Sequence, residues 1–414
     1  MKIAIIGAGI TGLSAGFYLS SNNHRVVIFE KEKKAGGLAA GFKFGKWLWP
    51  LEHYPHHLFT SDAFAISLIK ELKLENRLFF RRPKTSIYLR NHLFQFDSPA
   101  SILKAPLLSF IQKTRIALAT SYLKTTNNWQ SLKEISARHW LRQTYGAKNH
   151  SMLWQPLLTG KFGPEADKVA MSWFWARIKK RSPRLGYLEG GFSVLTGQLQ
   201  DKIRQRGGQI VLNHKIRNLN EIRSKFDLLI ITTSTPVFLK IAPGLPAGYR
   251  KGLAKLKIIS SLSLVLALKK SFLTDNTYWL NINDRSFPFV FIDEHTNFVD
   301  SKYYNYQHLL YVGGYYPQDH PYLKMDRSEV LKKFLPYLKK INPEFDFSLS
   351  LTRYWLFTDS YSQPIVTAGY DRLIPNHQTP LKNVYLFNLQ QIYPWDRGIN
   401  YAVGLGKKAA KIPD

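Results

Sequence analysis

The first thirty residues of the chain read as a strand, a glycine turn, a helix and a second strand. The apolar run Ile3–Ile6 is typical of a parallel strand that is buried on both faces, and it stops at GAGITG, residues 7–12. The second strand, Arg25–Phe29, leads to Glu30, whose carboxylate is placed to accept a hydrogen bond from a ribose hydroxyl. This order of strand, G-x-G-x-x-G turn, helix, strand and acid predicts a dinucleotide-binding unit.

The glycines of this turn have separate physical roles. Gly7 permits the tight turn, Gly9 lets the backbone approach a pyrophosphate, and Gly12 lets the helix pack closely on the sheet. Ile10 and Thr11 open the helix, so their backbone amides are part of the predicted site. The diphosphate is expected at this end because the helix dipole and the free N–H groups there attract an anion.

A second glycine pair stands a few residues after Glu30, in the segment KAGGL at residues 34–38. An ordinary surface turn is the alternative reading for a Gly-Gly pair taken alone. The segment resembles the second half of the long fingerprint of two-dinucleotide-binding flavoproteins, in which this backbone lies against FAD. The resemblance implies that the cofactor is FAD and not NAD, with contacts from Lys31, Gly36, Gly37 and Leu38.

Composition limits the remaining possibilities. A chain of 414 residues can bury a large core and form two intertwined domains. The chain has no cysteine, which excludes a disulfide framework, a thiol nucleophile and a thiolate metal site. Met1 runs directly into the first strand without a secretory signal, and the apolar stretch Ile258–Leu268 is too short to span a bilayer. We therefore expect a cytoplasmic protein.

The formal net charge of +30 favours anionic partners: lipid headgroups, diphosphate-bearing substrates or nucleic acid. A generally basic, solvated surface is the alternative explanation, because the cations are spread along the chain and are not gathered in one tail. The segment Pro99–Lys124 interleaves apolar residues with four cations, which suits a helix lying on an anionic membrane at the inner face; the basic run Arg177–Arg181 would assist. An ordinary packed helix pair is the alternative. No nucleic-acid-binding motif is visible, and we expect no nucleic-acid partner.

Three histidines, His53, His56 and His57, stand close together between Gly41 and Phe59. No matching carboxylate cluster or H-E-x-x-H helix accompanies them, so no metal site is expected. The arrangement Glu52-x-x-x-His56-His57-x-Phe59 resembles bacterial members of the amine oxidase, protoporphyrinogen oxidase and phytoene desaturase superfamily. UDP-galactopyranose mutases, which share the fold, have a similar Pro-His-x-Phe stretch. In both groups the resemblance implies that the segment 52–59 lies beside the isoalloxazine ring.

The same resemblance covers nearly the whole chain and implies further contacts. It places the backbone of Ile216 at the adenine, Thr232 and Thr233 near the diphosphate, and the start of the last helix at the pyrimidine edge of the flavin. The residues at that last position are Asp396, Arg397, Gly398, Asn400 and Tyr401, and Asn388 precedes them. Many superfamily oxidases have Gly followed by an acid at this position, whereas this chain has Asn388-Leu389. The mutases also lack the Gly-acid pair. Candidate catalytic residues by this resemblance are His56, His57, Arg397 and Tyr401.

Two roles are open for the charged pair before the last helix. Arg397 and the helix amides can stabilise the anionic reduced flavin, because the helix dipole already favours negative charge there. Alternatively, Asp396 caps the helix and Arg397 pairs with a surface carboxylate.

The pattern along the chain alternates helices and strands. Helices are expected at Ser61–Leu74 with Asp62 in the first turn, Pro99–Lys124, Leu132–Leu141, from Phe192 to Gly207, at Ser328–Ile341 and after Tyr401; strands are expected at Ile87–Leu89, Leu93–Phe96, Gln209–Val211, Leu228–Ile231, 256–268, 309–316 and Val384–Phe387.

We expect an α/β protein with a Rossmann-like FAD-binding domain of the two-dinucleotide-binding type and an inserted substrate domain of mixed sheet and helices. The FAD-binding domain comprises residues 1–80, 185–250 and 355–414, and the substrate domain comprises residues 81–184 and 251–354.

The leading functional expectation is an FAD-dependent oxidoreductase that takes a hydride from a largely apolar, small or lipid-like substrate. The electron acceptor is open between oxygen, a quinone and another acceptor. The alternative is a non-redox mutase of the UDP-galactopyranose mutase type, acting on a sugar nucleotide or diphosphate lipid. A non-catalytic FAD-holding or nucleic-acid-binding module is a third alternative.

Overall fold

The computed structural model describes residues 1–413 and contains two large sheets. The strands are β1 Lys2–Ile6, β2 Arg25–Phe29, β3 Gly41–Phe42, β4 Leu51–Glu52, β5 Leu58–Phe59, β6 Leu78–Arg81, β7 Lys84–Leu89, β8 His92–Gln95, β9 Leu185–Leu188, β10 Gln209–Val211, β11 Leu228–Ile231, β12 Ile258–Leu268, β13 Thr277–Ile282, β14 Phe291–Glu294, β15 His308–Tyr316, β16 Leu351–Pro364 and β17 Val384–Leu386.

The α-helices are α1 Ile10–Ser21, α2 Ala63–Glu71, α3 Pro99–Leu103, α4 Phe110–Thr125, α5 Ala137–Thr144, α6 Ala147–Asn149, α7 Gln155–Phe162, α8 Met171–Lys180, α9 Phe192–Gln205, α10 Asn220–Arg223, α11 Thr235–Ile241, α12 Ala247–Ala254, α13 Arg327–Ile341, α14 Phe347–Ser350 and α15 Ile399–Ala409.

The first sheet is five-stranded and wholly parallel, in the order β10-β2-β1-β11-β17. Its central strand β1 pairs Ile5 with Ile28 on one side and with Ile230 on the other, and these three side chains are fully buried. Apolar runs without alternation form such strands because helices cover both faces of a parallel sheet. The sheet confirms the predicted Rossmann-like arrangement, in which ligands bind beyond the carboxyl ends of the strands.

The second sheet is seven-stranded and mixed, in the order β16-β12-β15-β14-β13-β7-β8. All of its pairings are antiparallel except that of β13 with β7. Every residue of β12 is buried, because β15 and β16 flank the strand and both faces are covered. The apolar stretch Ile258–Leu268 is thus the interior strand of a sheet. Within residues 1–413, no helix has the length and apolar character needed to cross a bilayer.

The C-terminal helix α15 returns to the beginning of the chain. A Cβ added to Gly406 would lie 2.6 Å from Cβ of Ser14, so α15 and α1 pack with their backbones close together. The side-chain oxygen Oδ1 of Asn400 accepts a hydrogen bond of 3.1 Å from the backbone N–H of Ala65, at the start of α2. These contacts bring the last segment of the chain beside the glycine turn that precedes α1.

Several predicted elements differ from the structure. The predicted helix 61–74 is shorter, 63–71, and Asp62 precedes it, accepting a hydrogen bond of 2.9 Å from the N–H of Phe59. The predicted helix 99–124 is two helices, α3 and α4. Pro106 lies in the break, and Ser109 starts a new helix by a reciprocal capping box with Gln112. The predicted helix 132–141 begins only at Ala137.

Two elements cross the expected domain boundaries without interruption. Strand β16 extends from Leu351 to Pro364 in the seven-stranded sheet, past position 355. Helix α12 extends from Ala247 to Ala254, past position 250. We therefore propose that the return to the FAD-binding part follows Pro364, and we keep the two-domain division as a proposal.

Candidate functional site

The two glycine motifs lie directly against each other. The N–H of Gly36 donates to the carbonyl of Ala8 at 2.8 Å, and a Cβ added to Gly37 would lie 3.1 Å from Cα of Gly9. Gly36 and Gly37 have φ angles of +125° and +56°, which glycine adopts at little cost. The second motif therefore extends the surface formed by the glycine turn.

The space around each glycine of the turn differs. A Cβ added to Gly12 would overlap the carbonyl oxygen of Gly7, and one added to Gly7 would lie 2.8 Å from Oγ1 of Thr232. A Cβ added to Gly9 would meet no atom within 4 Å. Gly7 and Gly12 are therefore required by protein packing, whereas Gly9 borders open space at the N-terminus of α1, where a diphosphate fits.

Glu30 is held beside the turn by backbone donors. Its carboxylate accepts hydrogen bonds of 2.8 Å from the N–H of Ala8 and 3.0 Å from the N–H of Glu32, and only 8% of the residue is exposed. The carbonyl of Glu30 accepts a bond of 2.8 Å from the N–H of His214, which brings the segment containing Ile216 alongside. Lys31 is exposed and pairs with Glu32 at 3.0 Å. The acid and the predicted adenine segment are therefore neighbours.

The residues after β11 contribute one unpartnered polar atom. Oγ1 of Thr232 donates to the carbonyls of Ile6 and Gly7 at 3.0 Å, which fixes this segment to the turn. Oγ1 of Thr233 is buried and has no hydrogen-bond partner within residues 1–413. A ligand phosphate would give this hydroxyl a partner. The open space at Gly9, the free helix N-terminus and the Thr233 hydroxyl together fit a dinucleotide such as FAD.

Asn388 has a different environment from the one that we expected. Its Nδ2 donates to the carbonyl of Thr233 at 3.2 Å and to Oγ1 of Thr235 at 3.1 Å, and its Oδ1 accepts from the N–H of Gln390 at 3.2 Å. The residue is 1% exposed. These contacts favour a structural role for the Asn388 side chain over a cofactor contact.

Glu52 anchors the histidine segment. Its carboxylate accepts hydrogen bonds of 2.6 Å from the hydroxyl of Tyr187 and 2.6 Å from the N–H of Phe192, and its carbonyl accepts a bond of 2.7 Å from the hydroxyl of Tyr311. Burial raises the pKa of Glu52 to about 7, although the two donors oppose this effect. The start of α9 and the second sheet thus fix the position at which residues 53–59 begin.

The three histidines point to different partners. The ring of His53 stacks on Phe357 with the ring centres 4.2 Å apart; Nδ1 of His56 lies 2.8 Å from the carbonyl of Tyr54; and Nδ1 of His57 lies 3.3 Å from the hydroxyl of Tyr278. Burial lowers the pKa of His53 and His56 to about 4 and that of His57 to about 3. All three are therefore neutral at physiological pH. The part of the chain that the structure describes contains no cluster of three or more potential metal ligands.

Asp396 lies in a group of polar and aromatic side chains from α7 and α8. It accepts hydrogen bonds of 3.0 Å from Nη1 of Arg177 and 3.1 Å from Nε1 of Trp173, and Nζ of Lys161 lies 3.9 Å away. Burial acts to raise the pKa of Asp396, but the charges of Lys161, Arg177 and Arg397 outweigh burial and lower it. Arg177 therefore faces Asp396, which contradicts its predicted place on a membrane-facing surface.

Arg397 makes contacts with neutral groups. Its Nε donates to Oε1 of Gln363 at 3.0 Å, and its Nη2 donates to the hydroxyl of Tyr315 at 3.3 Å. Helix α15 begins at Ile399 after Gly398, and no side chain caps it. The alternative that Asp396 caps this helix and that Arg397 pairs with a surface carboxylate is therefore wrong.

The two predicted flavin-facing segments approach each other. The positive charge of Arg397 adds to the effect of burial in lowering the pKa of His56, as the charges of Arg181 and Arg177 do for His57. Tyr401 stacks on Trp395 at 5.8 Å. Residues separated by more than three hundred positions thus lie in one region, at the junction of both sheets and the helices α7 and α8.

Sequence reasoning missed several side chains of this region. Lys161, Tyr315 and Gln363 surround Arg397 and Asp396, and Tyr278 contacts His57. None of them stands in a motif with its own spacing. Lys161 lies within the Trp-rich stretch 129–180, and that composition is the one sequence signal near it.

The chain is similar to known flavoproteins. The family model described as "Flavin containing amine oxidoreductase" matches residues 10–411. The mitochondrial protoporphyrinogen oxidase of Nicotiana tabacum is 23% identical over 210 residues, which are 49% of this chain and 39% of the tobacco protein. The chain spans about two fifths to a half of the length of the first curated relatives that it matches.

Solved structures share the fold at low identity. A putative protoporphyrinogen oxidase from Exiguobacterium sp. 255-15 has a TM-score of 0.73 at 16% identity, covering 99% of this chain and 98% of that protein. A reduced UDP-galactopyranose mutase has a TM-score of 0.77 at 13% identity, covering 99% of this chain and 94% of the mutase. At these identities the likeness concerns the fold alone.

Proposed function

The chain belongs to the flavin-containing amine oxidoreductase family, and we propose that it is an FAD-dependent oxidoreductase that oxidises a largely apolar small molecule by hydride transfer. FAD would accept the hydride and supply the redox chemistry of the reaction. Gly9, Thr233 and the start of α1 would hold its diphosphate, and Glu30 would accept from its ribose. The observation that supports the proposal is the contrast between the neutral side chains of His56 and His57 and the cation Arg397, which lies close enough to His56 to lower its pKa.

That contrast suits hydride transfer from an apolar substrate. His56 and His57 are half-buried and uncharged, so they offer a surface without charge to an apolar substrate. The start of α15, with Arg397 beside it, would hold the part of FAD that becomes negatively charged on reduction. Arg397 and the free N–H groups of that helix can stabilise this charge, because both are fixed before the reaction occurs.

Anaerobic reduction tests this proposal. Holoenzyme is mixed with candidate substrates while the visible absorbance band of the oxidised flavin is followed, because this band is lost when the flavin is reduced. Bleaching by an apolar substrate supports the proposal, and reoxidation by oxygen or by a quinone then identifies the acceptor. Bleaching by no member of a panel that includes porphyrinogens, carotenoid precursors and amines would contradict it.

A mutase reaction is the second candidate, because the fold likeness to a UDP-galactopyranose mutase extends over 99% of the chain. Asn388-Leu389, in place of the usual Gly-acid pair, is also compatible with it. Such a reaction leaves the flavin unchanged over a full cycle. Conversion of a sugar nucleotide only after pre-reduction with dithionite, without net flavin oxidation, would favour the mutase over the oxidoreductase.

We also propose that the protein associates peripherally with the inner face of an anionic membrane. Leu103, Phe110, Ile111 and Leu118 of α3 and α4 are between 62% and 79% exposed. No acidic residue occurs from position 98 to position 133, while this stretch has five Lys and Arg residues. Exposed apolar side chains among cations without anions suit lipid headgroups, and each cation near them contributes roughly 1 kcal/mol.

Co-sedimentation with vesicles tests the membrane proposal. Binding to vesicles with phosphatidylglycerol should exceed binding to pure phosphatidylcholine and should weaken with salt, because screening acts within a Debye length. The double variant Phe110→Ser/Ile111→Ser should bind at least several-fold more weakly. Leu349→Ser, at a position that is 69% exposed on another part of the surface, is the matched control. Equal binding to both kinds of vesicle would refute the electrostatic part.

A further inference from the structure

Three cationic side chains surround the single carboxylate of Asp396. Arg177 forms a direct ion pair with it at 3.0 Å, whereas Lys161 Nζ stays at 3.9 Å, beyond hydrogen-bonding distance. Arg397 has no carboxylate within 4.0 Å among residues 1–413, and its side chain donates only to neutral groups. Asp396 therefore balances one positive charge, and two positive charges in this group have no counter-charge.

The ammonium group of Lys161 lies among aromatic faces and is largely shielded from solvent. The side chain is 12% exposed, and Nζ lies 4.6 Å from the ring centre of Tyr315 and 5.6 Å from that of Trp173. Burial lowers the pKa of Lys161. The aromatic faces compensate part of the lost hydration, but an ammonium has three N–H donors, and none has an oxygen acceptor at hydrogen-bonding distance in residues 1–413. Asp396 is the nearest carboxylate at 3.9 Å, but Arg177 already occupies it at 3.0 Å, so the N–H donors of Lys161 are available to a further anion.

Tyr315 connects Lys161 with the predicted ring site. Its hydroxyl accepts from Arg397, while its ring lies under Lys161. Burial alone would raise the pKa of Tyr315, but the neighbouring charges of Lys161 and Arg397 outweigh it and lower the pKa. The positive charges of Lys161 and Arg397 therefore act on the Tyr315 hydroxyl, which lies between the helices α7 and α8 and the region of His56.

We propose that Lys161, together with Arg397 and Tyr315, binds an anionic group of the substrate, a carboxylate or a phosphate. The inference rests on the proposed function and adds to it the class of substrate: an apolar molecule with an acidic group. The isoalloxazine ring would be neutral when oxidised and would supply one negative charge when reduced, while the diphosphate of FAD would be held at the start of α1, so the ring alone would not balance both cations. An anion on the substrate balances the remaining charge and orients the apolar part towards the flavin.

The test uses FAD-loaded protein and simple probes. Thermal unfolding is followed in inorganic phosphate, in acetate and in chloride at equal ionic strength, and the flavin spectrum is followed with dodecanoate, dodecyl phosphate and dodecanol. We expect a Tm increase of several degrees with phosphate or acetate over chloride, and spectral titration by a charged dodecyl probe but not by dodecanol. The stronger of the phosphate and carboxylate arms identifies the acidic group.

Variants locate the response. Lys161→Gln should raise the apparent Kd for the anion at least tenfold. Lys161→Arg should have an apparent Kd near that of the wild type because the cation is kept. Lys168→Gln, which changes a lysine on the same stretch of chain with a side chain that is 65% exposed, is the matched control and should leave the response unchanged. The proposal is overturned if wild-type holoenzyme shows no anion response, or if Lys161→Gln retains it, whatever its own thermal stability.

Failure of this inference is distinguishable from failure of the proposed function. Retention of FAD and anaerobic bleaching by a substrate decide the oxidoreductase reaction and do not depend on the anion probes. Two results together would establish the reaction and exclude the anion site. The holoenzyme would be bleached by substrates without an acidic group, and the Kd for anions would be the same in Lys161→Gln as in the wild type.

Discussion

Replacing Glu52 by glutamine should change how the stability of the protein depends on pH. Glu52 is 1% exposed, and its two oxygens accept hydrogen bonds from Tyr187 and Phe192. Burial raises its pKa from 4.5 to about 7, because the lost hydration of the carboxylate outweighs the two donors. The substituted glutamine would resemble the protonated acid in size and would carry no titratable proton. The comparison therefore isolates the ionisation of one side chain.

The magnitude follows from the difference between the folded and unfolded pKa. About 2.5 units between 4.5 and about 7 correspond to about 3.4 kcal/mol. Below pH 4.5 Glu52 is protonated in both states and its ionisation costs nothing. As pH rises towards 7 the unfolded chain releases this proton first, so the free energy of unfolding of the wild type falls. We compare the free energy of unfolding of the variant with that of the wild type at each pH. Above pH 7 this difference should favour the variant by about 3 kcal/mol more than it does at pH 4.5.

Calorimetry of the FAD-loaded proteins at pH 4.5, 6 and 8 measures this difference. An unfolding entropy of about 2.1 cal/mol/K per residue gives about 0.9 kcal/mol/K for 414 residues, so the Tm difference between variant and wild type should grow by about 4 °C. The neutral histidines act equally in both proteins and cancel. Glu344→Gln changes an exposed glutamate and is the matched control. A difference that is constant with pH for Glu52→Gln would refute the reasoning.

The remaining predictions concern the cofactor. Gly9→Val should abolish FAD binding while the apoprotein keeps a Tm within about 2 °C of wild type, because Cβ at position 9 meets no protein atom within 4 Å but would occupy the diphosphate space. Gly12→Val should lower the Tm of the apoprotein itself, because Cβ at position 12 overlaps Gly7. Unfolding scans with and without FAD separate the two cases. Equal behaviour of the two variants would contradict the assignment of Gly9 to the diphosphate site and of Gly12 to packing. Arg397→Ala should make the flavin midpoint potential more negative by on the order of 30 mV, the two-electron equivalent of about 1.4 kcal/mol, because a cation that stabilises the reduced form is lost. If the potential and the reactivity with sulfite stay at wild-type values while only the Tm falls, Arg397 is structural.

The membrane and substrate-anion proposals involve separate surfaces. Phe110 and Ile111 lie on the exposed face of α4, whereas Lys161 is 12% exposed beside Asp396. Vesicle binding and anion binding should therefore vary independently among the variants. A Phe110→Ser/Ile111→Ser protein that loses vesicle binding should keep its phosphate response.

The sequence alone was sufficient for the dinucleotide unit and for the main strands. The segment 1–30 encodes strand, turn, helix and acid within a short stretch, and each part depends on local backbone geometry or on apolar runs. The strands Gln209–Val211 and Leu228–Ile231 were predicted at their observed positions for the same reason. Helix ends were less accurate, since breaks such as that at Pro106 depend on which carbonyls and caps the surrounding structure can satisfy.

Only the tertiary structure decided which charges meet. Asp396 and Arg397 were recognised next to the last helix, but their separate partners, Arg177 on α8 and Tyr315 on β15, come from elements that are distant in sequence. Lys161 has no motif, and its significance depends on burial and on the missing acceptor, which are properties of packing. Local sequence patterns predict the backbone conformation of a segment. The electrostatic balance of a site depends on side chains from distant segments, because only the folded arrangement of sheets and helices brings them within a few ångströms of one another.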